Sequence, residues 1–318
     1  MLRITQNMLT SQFLYNITQI NQTMQQDQQQ LATGKSLNLP QDNPLAVSQD
    51  MSIKDALSQN TAYLSSISAG LTWMNNTSGA VQQLSNALTN IQQAVISAIN
   101  TPNQSQGGVN GFYQTVQQYV SGIAQILNTT QGTRYLFNGT NTSTPPATIT
   151  AGTLSVAATT STTNTINYQF ASNLNSSTNV TASINISAND LMLTTSTGAS
   201  QNLVTTLNQI VTDLKTNSTS SLNDLSTQLK NLQAGMSNVI NLNASLGATI
   251  QRATALQNQM TQYGTTMTNQ KSTLEDANMA QVITQFTTDQ TVYQSALKMG
   301  SEVLLPSPAG SPNGLRSI

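Results

Sequence analysis

The sequence predicts a mainly α-helical protein. Long antiparallel, coiled-coil-like helices form from paired N- and C-terminal segments, with a small antiparallel β domain inserted between them. Three observations carry this expectation. Apolar residues recur at steps of three and four over long stretches at both ends of the chain, the spacing of a helical seam. Residues 140–200 switch to a Thr/Ser/Asn-rich composition with local two-residue alternation, the mark of short strands. Aromatic residues make up only 4% of the 318 positions, which suits narrow helical seams better than one broad core.

The first helix carries Phe13, Ile17, Ile20, Met24 and Leu31 on one stripe, with Asp27 in the gap. Gly34 follows Ala32-Thr33 as a C-terminal stop. Pro40 and Pro44 bracket a turn, Gln41-Asp42-Asn43, that ends in an N-cap with proline at the first helical position. A long helix then runs from Leu45 to about Ile99, on the seam Leu57, Asn60, Leu64, Ile67, Leu71, Met74, Ser78 and Val81. Thr101 to Gly111, with one Pro and three Gly, reads as a loop. A shorter helix turns Val116, Val120, Ile123 and Leu127 inward.

After Gly139 the pattern changes. Alternation in Thr165–Phe170 and Val180–Ile186 places strands in the insert. Helical spacing returns near Leu203 and is regular from Leu222 to Leu274, a rod of roughly 80 Å at 1.5 Å per residue. On that seam Asn243 and Gln257 read either as register devices or as wet positions. A last amphipathic helix carries Met279, Val282, Ile283, Phe286, Tyr293 and Leu297, and Pro306 and Pro308 end it. The expected organisation is residues 1–44 with 278–318 as a terminal helical assembly domain. Residues 45–139 with 201–277 form a helical rod, and 140–200 a β-rich outer insert.

The composition excludes much chemistry. Charged residues are 7% of the chain, ten basic against eleven acidic, and His and Cys are absent. A nucleic-acid surface needs a basic stripe, and none is available. Without His or Cys there is no common general base, thiol nucleophile or zinc site. Asp50 and Lys54 stand four apart and read as a solvated pair worth a few tenths of a kcal/mol. Glu275-Asp276, where the last two helices break, reads as helix capping rather than metal binding. Trp73 and the methionines Met236, Met260 and Met267 read as seam packing. No catalytic residue, cofactor site or metal site is expected.

No segment approaches the ~18 continuous apolar residues of a membrane span, so no membrane insertion is expected, and the start lacks the apolar run of a secretory signal. The scarcity of charge has two readings, an acidic surrounding or the composition of the source lineage. A surface of amides and hydroxyls would in either case keep contacts nearly independent of pH. The terminal arms are the main functional signal. Five seam residues at about 2 kcal/mol each do not cover the ordering of some 30 residues at about 1–2 kcal/mol apiece. The arm is therefore expected to need the C-terminal helix and neighbouring copies.

Several strings also resemble the flagellin family. Near the start these are Arg3-Ile4-Thr5-Gln6-Asn7-Met8, Leu31-Ala32-Thr33-Gly34-Lys35-Ser36-Leu37-Asn38 and Pro40-Gln41-Asp42-Asn43-Pro44. Near the end they are Leu274-Glu275-Asp276-Ala277-Asn278-Met279-Ala280, Ile283-Thr284 and Tyr293-Gln294-Ser295-Ala296-Leu297. Together they cover roughly the first hundred and last seventy-five residues, in order, around an unrelated middle. Within the family, Gly132-Thr133-Arg134-Tyr135-Leu136-Phe137-Asn138-Gly139 resembles a signature of members that join hook to filament. The tail Pro306-Ser307-Pro308-Ala309-Gly310-Ser311-Pro312 departs from the family's short apolar ending.

The resemblance implies an extracellular structural subunit of the bacterial flagellum, exported without a cleaved signal and transmitting torque across the hook–filament junction. Implied partners are copies of itself in a ring, flagellin on the filament side, the first hook-associated junction protein on the hook side, and an export chaperone before assembly. The assembly interface then falls on Phe13, Ile17, Ile20, Met24, Leu31, Met279, Ile283, Phe286, Tyr293 and Leu297. Two alternatives stay open: a short flagellin, and a secreted adhesin on a helical stalk.

Overall fold

The structure, a computed structural model, describes residues 6–40, 43–100, 106–157, 166–172, 179–194, 197–216 and 219–304. Its helices are α1 (Gln6–Thr33), α2 (Pro44–Ile99), α3 (Gln106–Leu127), α4 (Leu203–Thr216), α5 (Thr219–Glu275) and α6 (Met279–Leu304). Its strands are β1 (Thr130–Gln131), β2 (Arg134–Tyr135), β3 (Ala147–Thr150), β4 (Thr153–Val156), β5 (Asn167–Ser172) and β6 (Asn179–Ser183). The expected class, long helices around a small antiparallel β region, is observed. The chain divides into two compact units, Met1–Gln59 with Gly264–Ile318 and Asn60–Tyr263.

In the terminal unit α1 packs on α6. The pairing is antiparallel: Lys35 bridges Asp276 near one end, and Phe13 meets Gly300 near the other. Local chemistry sets the helix ends. Gly34 takes φ +71°, open to glycine without a Cβ penalty, and its N–H reaches the Gln30 carbonyl at 2.8 Å. That bond satisfies a carbonyl the helix would otherwise leave unpaired. Asn43 Oδ1 accepts from the Ala46 N–H at 3.1 Å, which caps α2 with Pro44 as its first residue; the expected turn residues Gln41 and Asp42 lie outside the described residues. Asn278 does the same for α6, accepting from the Gln281 N–H at 3.4 Å.

The central unit holds most of the buried apolar side chains. Ile67, Met74, Val81, Leu84, Leu88, Ile91 and Val95 of α2 are buried, as are Leu225, Leu232, Val239, Leu246 and Ala253 of α5. Ile67, Met74 and Val81 are seam positions the spacing predicts, and the α5 residues fall within the regular stretch from Leu222 to Leu274. Polar seam residues bond across the pair: Ser78 Oγ donates to Asn243 Oδ1 at 2.9 Å, and Asn60 Nδ2 donates to the Met260 carbonyl at 3.0 Å while its Oδ1 is buried without a partner. Directional bonds at fixed positions penalise a register slip, which favours the register reading of Asn243.

One sequence expectation is corrected. The region Thr101–Gly111 is not loop to its end, because α3 begins at Gln106 and takes in Gly107, Gly108 and Gly111. Burial of Val109, Val116, Val120, Ile123 and Leu127 on one face outweighs a glycine penalty of about 1 kcal/mol per residue. Residues 101–105 lie outside the described residues.

The strands form three separate two-stranded antiparallel sheets, β1–β2, β3–β4 and β5–β6. Ala151 (φ 51°) and Gly152 (φ +81°) make the two-residue turn between β3 and β4, both in the left-handed region that such hairpin turns require. After β6, a capping pair forms at Ser187 and Asp190. Asp190 Oδ2 accepts from Ser187 Oγ at 2.7 Å, and the Asp190 N–H donates back to Ser187 Oγ at 3.1 Å. It leads into a π-helical turn, Asn189–Leu193, which the sequence pattern does not foretell.

Candidate assembly surface

The candidate residues lie on the α1–α6 pair. On α1, Phe13, Ile17, Ile20, Met24 and Leu31 are all half-buried, and Asp27, the gap in the apolar stripe, is the most deeply buried described residue of that helix at 7% exposure. On α6 the residues sheltered at heptad spacing are Val282, Phe286, Asp289, Tyr293, Ala296 and Gly300. Phe286 and Tyr293 of the expected set therefore lie in the intramolecular seam. Met279, Ile283 and Leu297 do not; they are 40–50% exposed. The reason is visible in the sequence of α6, which is apolar on two faces, so that spacing alone does not say which one the partner helix covers.

Apolar side chains also remain uncovered on several sides of the pair. Met8, Leu14 and Tyr15 of α1, and Met279, Ile283, Val292, Leu297 and Met299 of α6, are large apolar side chains left exposed, up to 66% for Met8. Single exposed apolar residues are ordinary, and it is the number of them on two paired helices that makes this pair the candidate assembly surface. The pair thus buries one apolar stripe and leaves further apolar side chains exposed around it, Met279, Ile283 and Leu297 on one flank of α6 and Val292 and Met299 on the other.

A polar clasp closes the base of the pair. The Ser36 N–H donates to the Glu275 carbonyl at 2.7 Å, and the Ala277 N–H donates to the Gly34 carbonyl at 3.0 Å. Together with the Lys35–Asp276 bridge, they tie the end of α1 to the start of α6. At the centre lies the Glu275 carboxylate, only 4% exposed. Lys35 Nζ pairs with its Oε1, Lys54 Nζ stands 3.4 Å from the same oxygen, and Lys271 Nζ stands 3.4 Å from Oε2. The hydrogen bond from Lys35, helped by Lys271 and Lys54 and opposed by burial, holds the Glu275 carboxyl at about 2. Lys54 also donates to Asp50 Oδ2 at 2.6 Å, a bond that raises the pKa of the lysine.

Two sequence readings change here. Asp50 is 6% exposed, so Asp50–Lys54 is not a solvated surface pair; the fold brings residues 271–275 alongside it. Glu275 caps no helix; Asn278 heads α6 instead. Only the juxtaposition of Lys35, Lys54, Lys271 and Glu275, set by tertiary structure, reveals the clasp. The sequence signal for it was slight, one acidic pair at a helix break in a chain with few charges.

The Gly132–Gly139 string builds the β1–β2 hairpin and the turn after it. Gly132 and Gly139 have positive φ, while Leu136, Phe137 and Asn138 are buried. Asn138 Nδ2 donates to the Thr144 carbonyl and hydroxyl, both at 2.9 Å, and the Ala188 N–H donates to the Phe137 carbonyl at 2.7 Å. The string thus anchors residues that follow it to the core of its unit and presents no binding surface through these three side chains.

Elsewhere in the terminal unit, a groove of about 540 Å³ is lined by Ser48, Gln49, Ser52, Ile53, Gln270, Thr273 and Leu274, none of them ionisable. Among the described residues, no three His, Cys, Asp or Glu come together as metal ligands, and no helix is long and apolar enough to cross a membrane.

Comparison with known proteins agrees with this fold. The family profile described as the bacterial flagellin N-terminal helical region matches residues 4–142. Flagellar hook-associated protein 3 of Escherichia coli (strain K12) is 26% identical over 146 residues, which is 46% of this chain and 46% of that relative; the matched stretch spans about half the length of the curated relative. Among solved structures, a Vibrio parahaemolyticus protein described as flagellar hook-associated superposes with a TM-score of 0.64 at 16% identity, covering 74% of this chain and 99% of that one. FlgL of Xanthomonas campestris gives 0.58 at 12% identity, covering 69% and 99%. At these identities the structural likeness is one of fold.

Proposed function

We propose that this chain, which carries the flagellin N-terminal helical region and the fold of the hook-associated proteins, is a non-catalytic structural subunit that joins the flagellar hook to its filament. The observation that carries the proposal is the α1–α6 pair, with one apolar stripe buried inside the chain and eight large apolar side chains left uncovered around it.

These uncovered side chains are the assembly surface in this reading, and because they lie on more than one side of the pair they are covered by neighbouring copies on either side in a ring. Eight such residues at about 2 kcal/mol each give a gross gain of the same order as the ~4–15 kcal/mol lost on association. One neighbour is therefore marginal and a closed ring is secure. Torque crosses such a ring through many shallow contacts, and a long paired helix resists bending along its length. In this scheme residues 1–44 with 278–318 assemble, 45–139 with 201–277 form the rod, and 140–200 face outward. Phe13, Ile17, Ile20, Met24, Leu31, Phe286 and Tyr293 hold the two termini together, and Met279, Ile283 and Leu297 meet the neighbour. The partners are flagellin on one side and the first hook-associated junction protein on the other, with a chaperone guarding the termini before export. The place of work is outside the cell.

Deleting the gene in its bacterium tests the reading. Loss of a junction leaves hooks without filaments while flagellin escapes into the medium. Hooks without filaments and no secreted flagellin would show that the chain is itself the filament protein. A strain with residues 140–200 removed should still build the junction; loss of surface attachment with intact filaments would point to an adhesin.

A further inference from the structure

Asp27 interrupts the apolar stripe of α1, and Asp289 interrupts that of α6. The antiparallel register set by Phe13 on Gly300 and Lys35 on Asp276 places the two aspartates opposite each other inside the seam. Asp27 is 7% exposed. Its Oδ2 and the Oδ2 of Asp289 are both buried, and neither has a hydrogen-bond partner. The other Asp289 oxygen accepts from Gln285 Nε2 at 3.1 Å. Among the described residues, no cation is near enough to compensate. Asp27 is the only charged residue of α1, and α6 offers only Lys298 and Glu302 besides Asp289. Lys298 lies nine residues on, about 13 Å along the helix; at the clasp, Lys35 and Lys271 are engaged by Glu275.

We infer that Asp27 and Asp289 form a proton-binding pair, one carboxylic acid donating to one carboxylate across the α1–α6 seam, so that acid tightens the pairing of the termini and neutral pH loosens it. Two like charges in a sheltered site cannot both ionise cheaply, whereas one shared proton satisfies both orphaned oxygens at once. Burial, and then the Asp289 charge, push the Asp27 carboxyl above the usual aspartate value. Stability from such a group is complete below the unfolded pKa and is lost as pH rises through the folded one. The inference rests on the fold of the single chain and holds whatever the chain assembles into.

The test is a carboxyl NMR titration of the full chain with ¹³C-labelled aspartate, nine residues in all, together with melting curves at pH 4 and pH 7. The pair should titrate in two separated steps, with one proton held above the ordinary aspartate range, and in Asp289→Asn the Asp27 step should move down. The melting temperature of the wild type should fall between pH 4 and pH 7 by several degrees more than that of Asp27→Asn. If that variant fails to fold, the wild-type titration still decides. A single ordinary step for both residues, or an unchanged pH slope in both variants, would overturn the proposal. So would restoration of the pH 7 melting temperature by Ca²⁺ or Mg²⁺ through the same two residues, which would make the site one for a cation.

Discussion

The Phe13 ring lies against Gly300 so closely that a Cβ on the glycine would stand 2.4 Å from the ring's Cζ. This contact, near one end of the α1–α6 pair, needs a residue with no side chain. Gly300→Ala gains about 1 kcal/mol of helix propensity but overpacks the seam at about 1–3 kcal/mol. The net expectation is a loss of about 1 kcal/mol and faster proteolysis of the termini. Gly79→Ala on α2, where nothing lies within 4 Å, should instead gain up to about 1 kcal/mol. Melting curves of the two variants, read side by side, separate packing from propensity.

The clasp has its own pH signature. Glu275 is held at about 2, below its ordinary 4.5. A carboxylate depressed in the folded state stabilises fully above the unfolded value and loses that contribution as pH falls through the folded one. Glu275→Gln should therefore cost about 2 kcal/mol at pH 7, in the range for hydrogen bonds to charged groups. The same variant should flatten the stability loss between pH 4.5 and 2. Urea titrations across that window give both quantities.

The hairpin string is tested through its core residue. Phe137 is 1% exposed, and Phe137→Ala should cost about 3–5 kcal/mol through lost burial and the cavity left behind. Arg134→Ala, at an exposed strand position, should change stability by less than about 0.5 kcal/mol. Chemical denaturation of the full chain distinguishes the two.

The uncovered apolar side chains should behave oppositely. Leu14→Asp with Ile283→Asp places charge on side chains more than half or half exposed, 56% and 50%. The monomer should keep its melting temperature within a degree or two, while addition to hooks is abolished. Sedimentation and electron microscopy of the same preparation check both halves of the expectation.

Much of the fold was legible because a heptad stripe reports local geometry directly. Phe13, Ile17 and Ile20, the α2 seam and the stop at Gly34 all follow from spacing and backbone chemistry. What was not legible depends on residues brought together from far apart. Asp27 reads as a gap in its stripe and becomes a buried position only once Asp289 faces it. Glu275 reads as a cap and becomes a clasp only once Lys35, just beyond α1, and Lys54 of α2 arrive beside it. Met279, Ile283 and Leu297 satisfy the helical period as well as Phe286 does, and the choice between the two faces is made by the partner helix, with Gly300 and Ala296 giving it room. The scarcity of charge says nothing of where the charges sit: three of the eleven acidic side chains, Asp27, Asp289 and Glu275, are placed on the joint between the two termini.

Adding the purified full chain to isolated hooks, with and without flagellin, under the electron microscope tests the central claim most directly. The account expects a thin ring that stops growing by itself at the hook's distal end, and flagellin filaments only on hooks that carry the ring. Long filaments built from this chain alone, or hooks left bare while flagellin polymerises on them, would contradict it.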